Sequence, residues 1–116
     1  MLVVDDDPDI REALRDTLEQ EGYCVAEATD GSAALSYLRS SPPPPLILLD
    51  WNMAPMNAAA FMEEFSREPA YAQIPVVLLT ADVKADERAK AIRCAGYLTK
   101  PVTLDALFET VARYCR

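Results

Sequence analysis

The stretch Leu46-Ile47-Leu48-Leu49-Asp50-Trp51-Asn52-Met53-Ala54-Pro55 decides how the chain is read. Four aliphatic residues in a row, entered from Pro45, read as a strand buried on both faces, because neither set of alternate side chains offers water a polar group. Asp50 then stands where that strand surfaces at its carboxyl end. A carboxylate there caps a helix, shapes a turn or belongs to a site, and the flanking segments have to decide.

Upstream, Ser40-Ser41-Pro42-Pro43-Pro44-Pro45 is a stiff, extended connector. Before it, Met1–Asp5 reads as a strand. Asp7-Pro8 opens a helix, with Asp7 as N-cap and Pro8 in the first turn. Ile10, Leu14 and Leu18 follow at four-residue spacing, and Gly22 stops the helix. Tyr23–Ala28 reads as a second strand, and Asp30 or Ser32 caps a helix running to about Arg39. Downstream, Ala58–Phe65 is a helix, Pro75–Thr80 a buried strand, Lys84–Cys94 a helix with a thin alanine face, and Tyr97–Thr99 a short strand. Thr103–Cys115 closes the pattern as a helix with Leu104, Leu107, Phe108 and Val111 inward. A strand followed by a helix, five times over, predicts an α/β fold: a parallel sheet with helices on both faces.

The chain has 116 residues, enough for one domain that buries roughly 65% of its unfolded surface. Its formal net charge is −8, which disfavours direct binding to a phosphate backbone and suits a divalent cation. No apolar run approaches ~20 residues, so no membrane span is expected. Met1-Leu2-Val3-Val4 meets Asp5 without a basic start or a long apolar region, so no secretion signal is read, and Cys24, Cys94 and Cys115 are expected to be reduced, packed thiols in a cytoplasmic protein. With no histidine in the chain, histidine-ligated zinc and imidazole bases drop out.

Open α/β sheets bind ligands at the carboxyl ends of their strands. Those ends carry Asp5-Asp6-Asp7, Asp30, Asp50, Thr80-Ala81-Asp82 and Lys100-Pro101. If the first and third strands are neighbours, Asp5, Asp6 and Asp50 converge. Two unit charges ~4 Å apart repel by about 4 kcal/mol at an effective dielectric of ~20, so a bare cluster is costly. A hard dication such as Mg²⁺, with its preference for oxygen ligands, relieves it. Lys100 adds a fixed cation and Thr80 a hydroxyl. Together these are the parts of a phosphoryl-transfer site, where positioning and charge neutralisation do most of the catalysis.

The segments "LVVDDD", "LILLDWNM", "PVVLLTA" and "YLTKPV", in that order, resemble the signature set of the response-regulator receiver domain of two-component signalling, over essentially the whole chain. That resemblance, and not the periodicity, implies the strand order 2-1-3-4-5 of the flavodoxin-like, receiver-type sheet. It implies that Asp50 is the phosphoacceptor, taking a phosphoryl group from a phosphohistidine on a sensor histidine kinase or a histidine phosphotransfer protein. It implies a Mg²⁺ or Mn²⁺ ion held by Asp6 and Asp50 through side chains and by Asn52 through its backbone carbonyl, with Asp5 helping through water. Thr80 and Lys100 would hold the phosphoryl oxygens, Thr80 and Tyr97 would form the switch, and the bond before Pro101 would be cis. Output, and a homodimer, would use the surface of the fourth helix, fifth strand and fifth helix.

Several residues carry plain alternatives. Asp7 reads as a cap alone. Trp51 stacks over the site or simply packs, and Asp82 shapes access or starts a helix. The family's Met-Pro-x-Met-Asp-Gly run is here Met53-Ala54-Pro55-Met56-Asn57-Ala58, so the loop after the third strand is expected to take another path, with Asn52 upstream of the change. Cys94-Ala95-Gly96 replaces the customary Gly-Ala before the aromatic, which predicts a trimmed fourth helix or exit loop. The chain starts directly in its first strand, as a single domain of residues 1–116 cut from a longer protein would. Two rival functions remain: a binding module of the same fold that is not switched by phosphate, and a haloacid-dehalogenase-like phosphatase built on Asp5-x-Asp7, "VVLLT" and Lys100.

Overall fold

Alternate residues of the central strand leave for opposite sides of the sheet. Ile47 and Leu49 join one apolar cluster, Leu46 and Leu48 the other, and all four are fully buried. This is the two-residue period of a strand covered on both faces. The computed structural model describes residues 1–115. Strands β1 (Leu2–Val4), β2 (Ala26–Ala28), β3 (Ile47–Asp50), β4 (Val76–Thr80) and β5 (Gly96–Thr99) alternate with helices α1 (Pro8–Gln20), α2 (Gly31–Ser40), α3 (Ala58–Ser66), α4 (Ala85–Ala91) and α5 (Leu104–Tyr114). A 3-10 turn at Pro69–Tyr71 precedes β4. The five strands form one parallel sheet in the order β2-β1-β3-β4-β5, as the resemblance implies.

The sheet separates two cores. On one face Leu35 and Leu38 of α2, Phe61 and Phe65 of α3 and Ala89 of α4 pack on Leu2, Val4, Ile47, Leu49, Val76 and Leu78. On the other, Leu14 and Leu18 of α1 and Leu107 and Val111 of α5 pack on Val3, Leu48, Val77, Leu79 and Leu98. Each fully buried aliphatic side chain contributes about 1.5–3 kcal/mol. Gly31 lets α2 approach α3 closely: a Cβ there would lie 2.8 Å from Met56 Cγ and 2.9 Å from Phe61 Cβ.

Side-chain caps fix four of the five helix starts. Asp7 accepts from the Asp9 and Ile10 N–H groups, Asp30 from Ala33, Asn57 from Ala60 and Thr103 from Ala106. Asp30, and not Ser32, is therefore the cap of α2. Among the described residues no side chain caps α4, whose N-cap position is Lys84.

Several expectations need correction. The second strand begins at Ala26, because β2 is an edge strand with β1 as its partner and only three residues find register; Tyr23 and Val25 pack instead against the α1–α5 core. Helix α4 spans Ala85–Ala91 rather than Lys84–Cys94: Arg93 turns to φ 64° and the Cys94 N–H closes on the Ala89 carbonyl at 2.9 Å. Ile10 and Leu104, expected inward, are 38% and 58% exposed and line an open apolar cleft between the starts of α1 and α5. The three cysteines are free, but Cys24 lies exposed in the loop before β2, so it is not a packed thiol. The bond before Pro55 is cis, in the loop that departs from the usual motif.

Candidate functional site

The strand period that divides the core also aims the site. Val3, Leu48 and Leu98 all pack toward α1 and α5. Asp5, Asp50 and Lys100 each follow one of them by two residues, so the alternation sends all three to the same side at the carboxyl edge. Backbone bonds hold them there. The Asp5 N–H donates to the Ala28 carbonyl at 3.1 Å, the Trp51 N–H to Leu79 at 2.9 Å and the Lys100 N–H to Thr80 at 2.8 Å.

The result is a tight charge cluster. Lys100 Nζ donates to Asp50 Oδ1 at 2.6 Å and lies 3.9 Å from Asp5 Oδ2. One carboxylate oxygen from each of Asp5, Asp6 and Asp50 falls within a 4.8 Å span. Asp5 and Asp50 are 1% and 3% exposed, whereas Asp6 faces solvent. Burial holds both buried carboxyl groups above the usual aspartate value, and the Lys100 ammonium pulls Asp50 part of the way back. Asp5 Oδ1 accepts the Asp7 N–H at 2.9 Å, while Asp5 Oδ2 is buried with no hydrogen-bond partner among the described residues.

An unpartnered buried carboxylate oxygen beside two further carboxylates asks for a cation that one ammonium cannot fully supply. Three convergent oxygens of this type fit a hard, oxygen-seeking dication. Asn52 lies two residues past Asp50, exposed, in a cleft of about 390 Å³ that it shares with Asp6, Trp51 and Asn57.

The remaining predicted residues lie at the same edge with different partners. Thr80, 2% exposed, follows the residue of β4 that pairs with Asp50, and its Oγ1 accepts the Asp82 N–H at 3.1 Å. Tyr97 is 42% exposed on β5, opposite Leu78, and so stands outside the carboxylate cluster. The Lys100–Pro101 bond is cis. Beyond it an apolar cleft of about 590 Å³ opens between α1 and α5, walled by Ile10, Leu14, Pro101 and Leu104. Asp7 spends its side chain on capping α1, so an Asp5-x-Asp7 nucleophile–acid pair does not assemble.

Two arginines escaped the sequence reading. Arg11 Nη1 donates to the Asp5 carbonyl at 2.9 Å and its Nε pairs with Glu27 at 3.2 Å, which steadies the acidic loop. Arg88 lies over the Trp51 ring at 5.5 Å and pairs with Asp82 Oδ2 at 3.3 Å. The position of Arg11, one turn after Asp7, was a usable signal. The position of Arg88 was not, because its partners come from two other segments.

With this geometry in hand, comparison with known proteins places the chain. The family model described as "Response regulator receiver domain" matches residues 1–112. The phosphate regulon transcriptional regulatory protein PhoB of Escherichia coli strain K12 is 38% identical over 118 aligned positions, covering all of this chain and 51% of PhoB, so the chain spans about half the length of that relative. Among solved structures, the chemotaxis protein CheY4 of Vibrio cholerae superposes with a TM-score of 0.88 at 30% identity, covering 97% of this chain and 95% of that one. The response regulator TrrA of Thermotoga maritima, solved with Mg²⁺ and BeF, gives 0.85 at 30% identity over 97% and 96% of the two chains. The fold agrees with these matches, and the chain belongs to the response regulator receiver family.

Proposed function

We propose that Asp50 is the phosphoacceptor of this receiver domain and that the donor is a phosphohistidine on a sensor histidine kinase or a histidine phosphotransfer protein. The observation that carries this reading is the Lys100 Nζ contact to Asp50 Oδ1 at 2.6 Å inside a cluster of three carboxylates. The Asp50 carboxylate attacks phosphorus in line; the bond from phosphorus to the imidazole nitrogen breaks as the acyl phosphate forms. Lys100, already on Asp50, screens the negative charge that gathers on the phosphoryl oxygens, and the Thr80 hydroxyl donates to one of them. Asp6 and Asp50 through their side chains and Asn52 through its backbone carbonyl would hold Mg²⁺ or Mn²⁺, with Asp5 helping through water. A bound dication supplies charge neutralisation that lets two anions, acceptor and phosphoryl group, approach. The same residues admit water to phosphorus in the later loss of the phosphoryl group.

Phosphorylation then biases a two-state equilibrium, with Thr80 and Tyr97 as the coupled pair and α4, β5 and α5 as the output and homodimer surface. The net charge of −8 supports protein partners rather than direct contact with nucleic acid. Among the described residues no helix is long and apolar enough to cross a membrane, which supports a cytoplasmic place of action.

Acetyl phosphate with Mg²⁺ tests the assignment. A gain of one phosphoryl group in the intact mass, labile to base and absent in Asp50→Asn, is expected. An unmodified protein, or an acid-stable adduct that survives Asp50→Asn, would replace this reading with that of a binding module not switched by phosphate.

A further inference from the structure

The contact network around Trp51 reaches beyond the charge cluster. Trp51 directly follows the acceptor and is half-buried against the α2–α3–α4 core. The Arg88 guanidinium of α4 lies over its ring, 5.5 Å from the centroid. The same guanidinium pairs through Nε with Asp82 Oδ2 at 3.3 Å. The other Asp82 oxygen accepts the Lys84 N–H at 2.8 Å, and the Asp82 backbone N–H donates to Thr80 Oγ1 at 3.1 Å. One arginine thus touches the segment after the acceptor and the segment after the hydroxyl residue, and both oxygens of the Asp82 carboxylate are taken up on the α4 side.

We propose that Arg88 is a positioning residue for phosphoryl transfer: it ties α4 to the two segments that flank Asp50, and it holds the Asp82 carboxylate away from the approach of an anionic phosphodonor. This rests on the reading of Asp50 as phosphoacceptor. The physical argument is one of charge and shape. The entrance already carries Asp5, Asp6 and Asp50, with one cation, Lys100, in contact with Asp50. A fourth carboxylate free to swing at that rim adds repulsion toward an incoming phosphoryl group. Arg88 neutralises it and, together with the Lys84 N–H on the other oxygen, keeps it turned toward the first turn of α4. The planar guanidinium suits both tasks at once, since its face stacks on the indole while its edge donates to the carboxylate.

The test follows phosphorylation of the intact chain by acetyl phosphate and Mg²⁺ alongside the emission of Trp51, the one tryptophan of the sequence. Arg88→Ala is expected to slow phosphorylation roughly three- to tenfold at low salt and less at high salt, as the loss of a rim charge does. Arg88→Lys keeps the charge and loses the stacked fork, so its rate should fall between the two while its emission follows Arg88→Ala. In the double variant Arg88→Ala, Asp82→Asn the carboxylate is gone, and the rate should return to that of Asp82→Asn alone. An Arg88→Ala rate within a factor of about two of wild type at low salt, or a slowed rate that Asp82→Asn leaves unchanged, overturns the proposal. Failure of the wild-type chain to take up phosphate would instead overturn the assignment of Asp50, so the two failures are distinct.

Discussion

Lys100 and Asp50 stand 50 residues apart in the chain and 2.6 Å apart in space, Nζ to Oδ1, at the carboxyl edge of the sheet. The pair is the electrostatic keystone of that edge, because Asp5 and Asp6 each bring a carboxylate oxygen within 4.8 Å of one of Asp50's, and Lys100 is the cation in contact with Asp50. Removing the ammonium would leave two buried carboxylates facing each other.

Lys100→Ala should therefore destabilise the metal-free protein by about 1–3 kcal/mol, less than the loss of a fully buried partner because the lysine side chain is 25% exposed. Millimolar Mg²⁺ should return part of that loss, since a ligand of the folded state stabilises by mass action. Urea unfolding in chelator and in Mg²⁺ measures both effects. An unchanged midpoint in chelator would show that the acids are not mutually strained.

The pH dependence has a definite sign. Burial raises the Asp5 and Asp50 carboxyl groups above the ordinary aspartate value of 3.8, to which they return on unfolding. Their contribution to stability is complete below that ordinary value and is lost as pH rises through the raised folded values. Asp50→Asn lacks one of these titrations. In chelator, its melting temperature relative to wild type should be highest above the raised folded values and should fall as the buffer is lowered toward the ordinary aspartate value of 3.8. A constant or oppositely sloped difference would contradict the burial argument. Added Mg²⁺, held by the ionised forms, should flatten the slope.

Among the described residues two positions take left-handed backbone angles, and they hold opposite residue choices. Gly22 ends α1 at φ 92° with nothing within 4 Å of where a Cβ would stand, so Gly22→Ala pays only the backbone penalty, about 1 kcal/mol. Arg93 ends α4 at φ 64° with a full side chain. Arg93→Gly should relieve a penalty of similar size, about 0.5–1 kcal/mol after the greater flexibility of the unfolded glycine chain is subtracted. Thermal melts of the two single variants should move in opposite directions.

Much of this architecture could be read from residue order. Short aliphatic runs entered from proline, such as Ile47–Leu49 and Val76–Leu79, fit strands buried on both faces of a sheet by their length and flanks, and Asp7, Asp30, Asn57 and Thr103 mark four helix starts by cap chemistry. The meeting of Asp5, Asp6 and Asp50 follows from the pairing of the first and third strands, which family resemblance implies and periodicity does not. Asn57 shows a departure absorbed locally: the residue in place of the customary acid still caps α3, accepting the Ala60 N–H at 2.9 Å. The edge strand β2 was overextended because Tyr23 and Val25 have strand-like composition but no hydrogen-bonding neighbour, and pairing is a property of two segments. The contact between Arg88 and Trp51 was invisible for the same reason, since it depends on how α4 is rotated above the sheet.

Helix α4 buries two small methyl groups, those of Ala85 and Ala89, with half-buried Ile92 just past its end and no capping side chain at its N-cap Lys84. Each methyl is worth about 0.8 kcal/mol, and a hydrogen bond to a charged group about 1.5–3 kcal/mol. One or two new bonds to an anion at the rim therefore match what those two methyl groups contribute, which leaves the Arg88 contacts to Trp51 and Asp82 as the remaining hold on the helix. On the proposed reading, a helix seated this lightly is one that a phosphoryl group at the rim could shift without disturbing the buried leucines of the sheet.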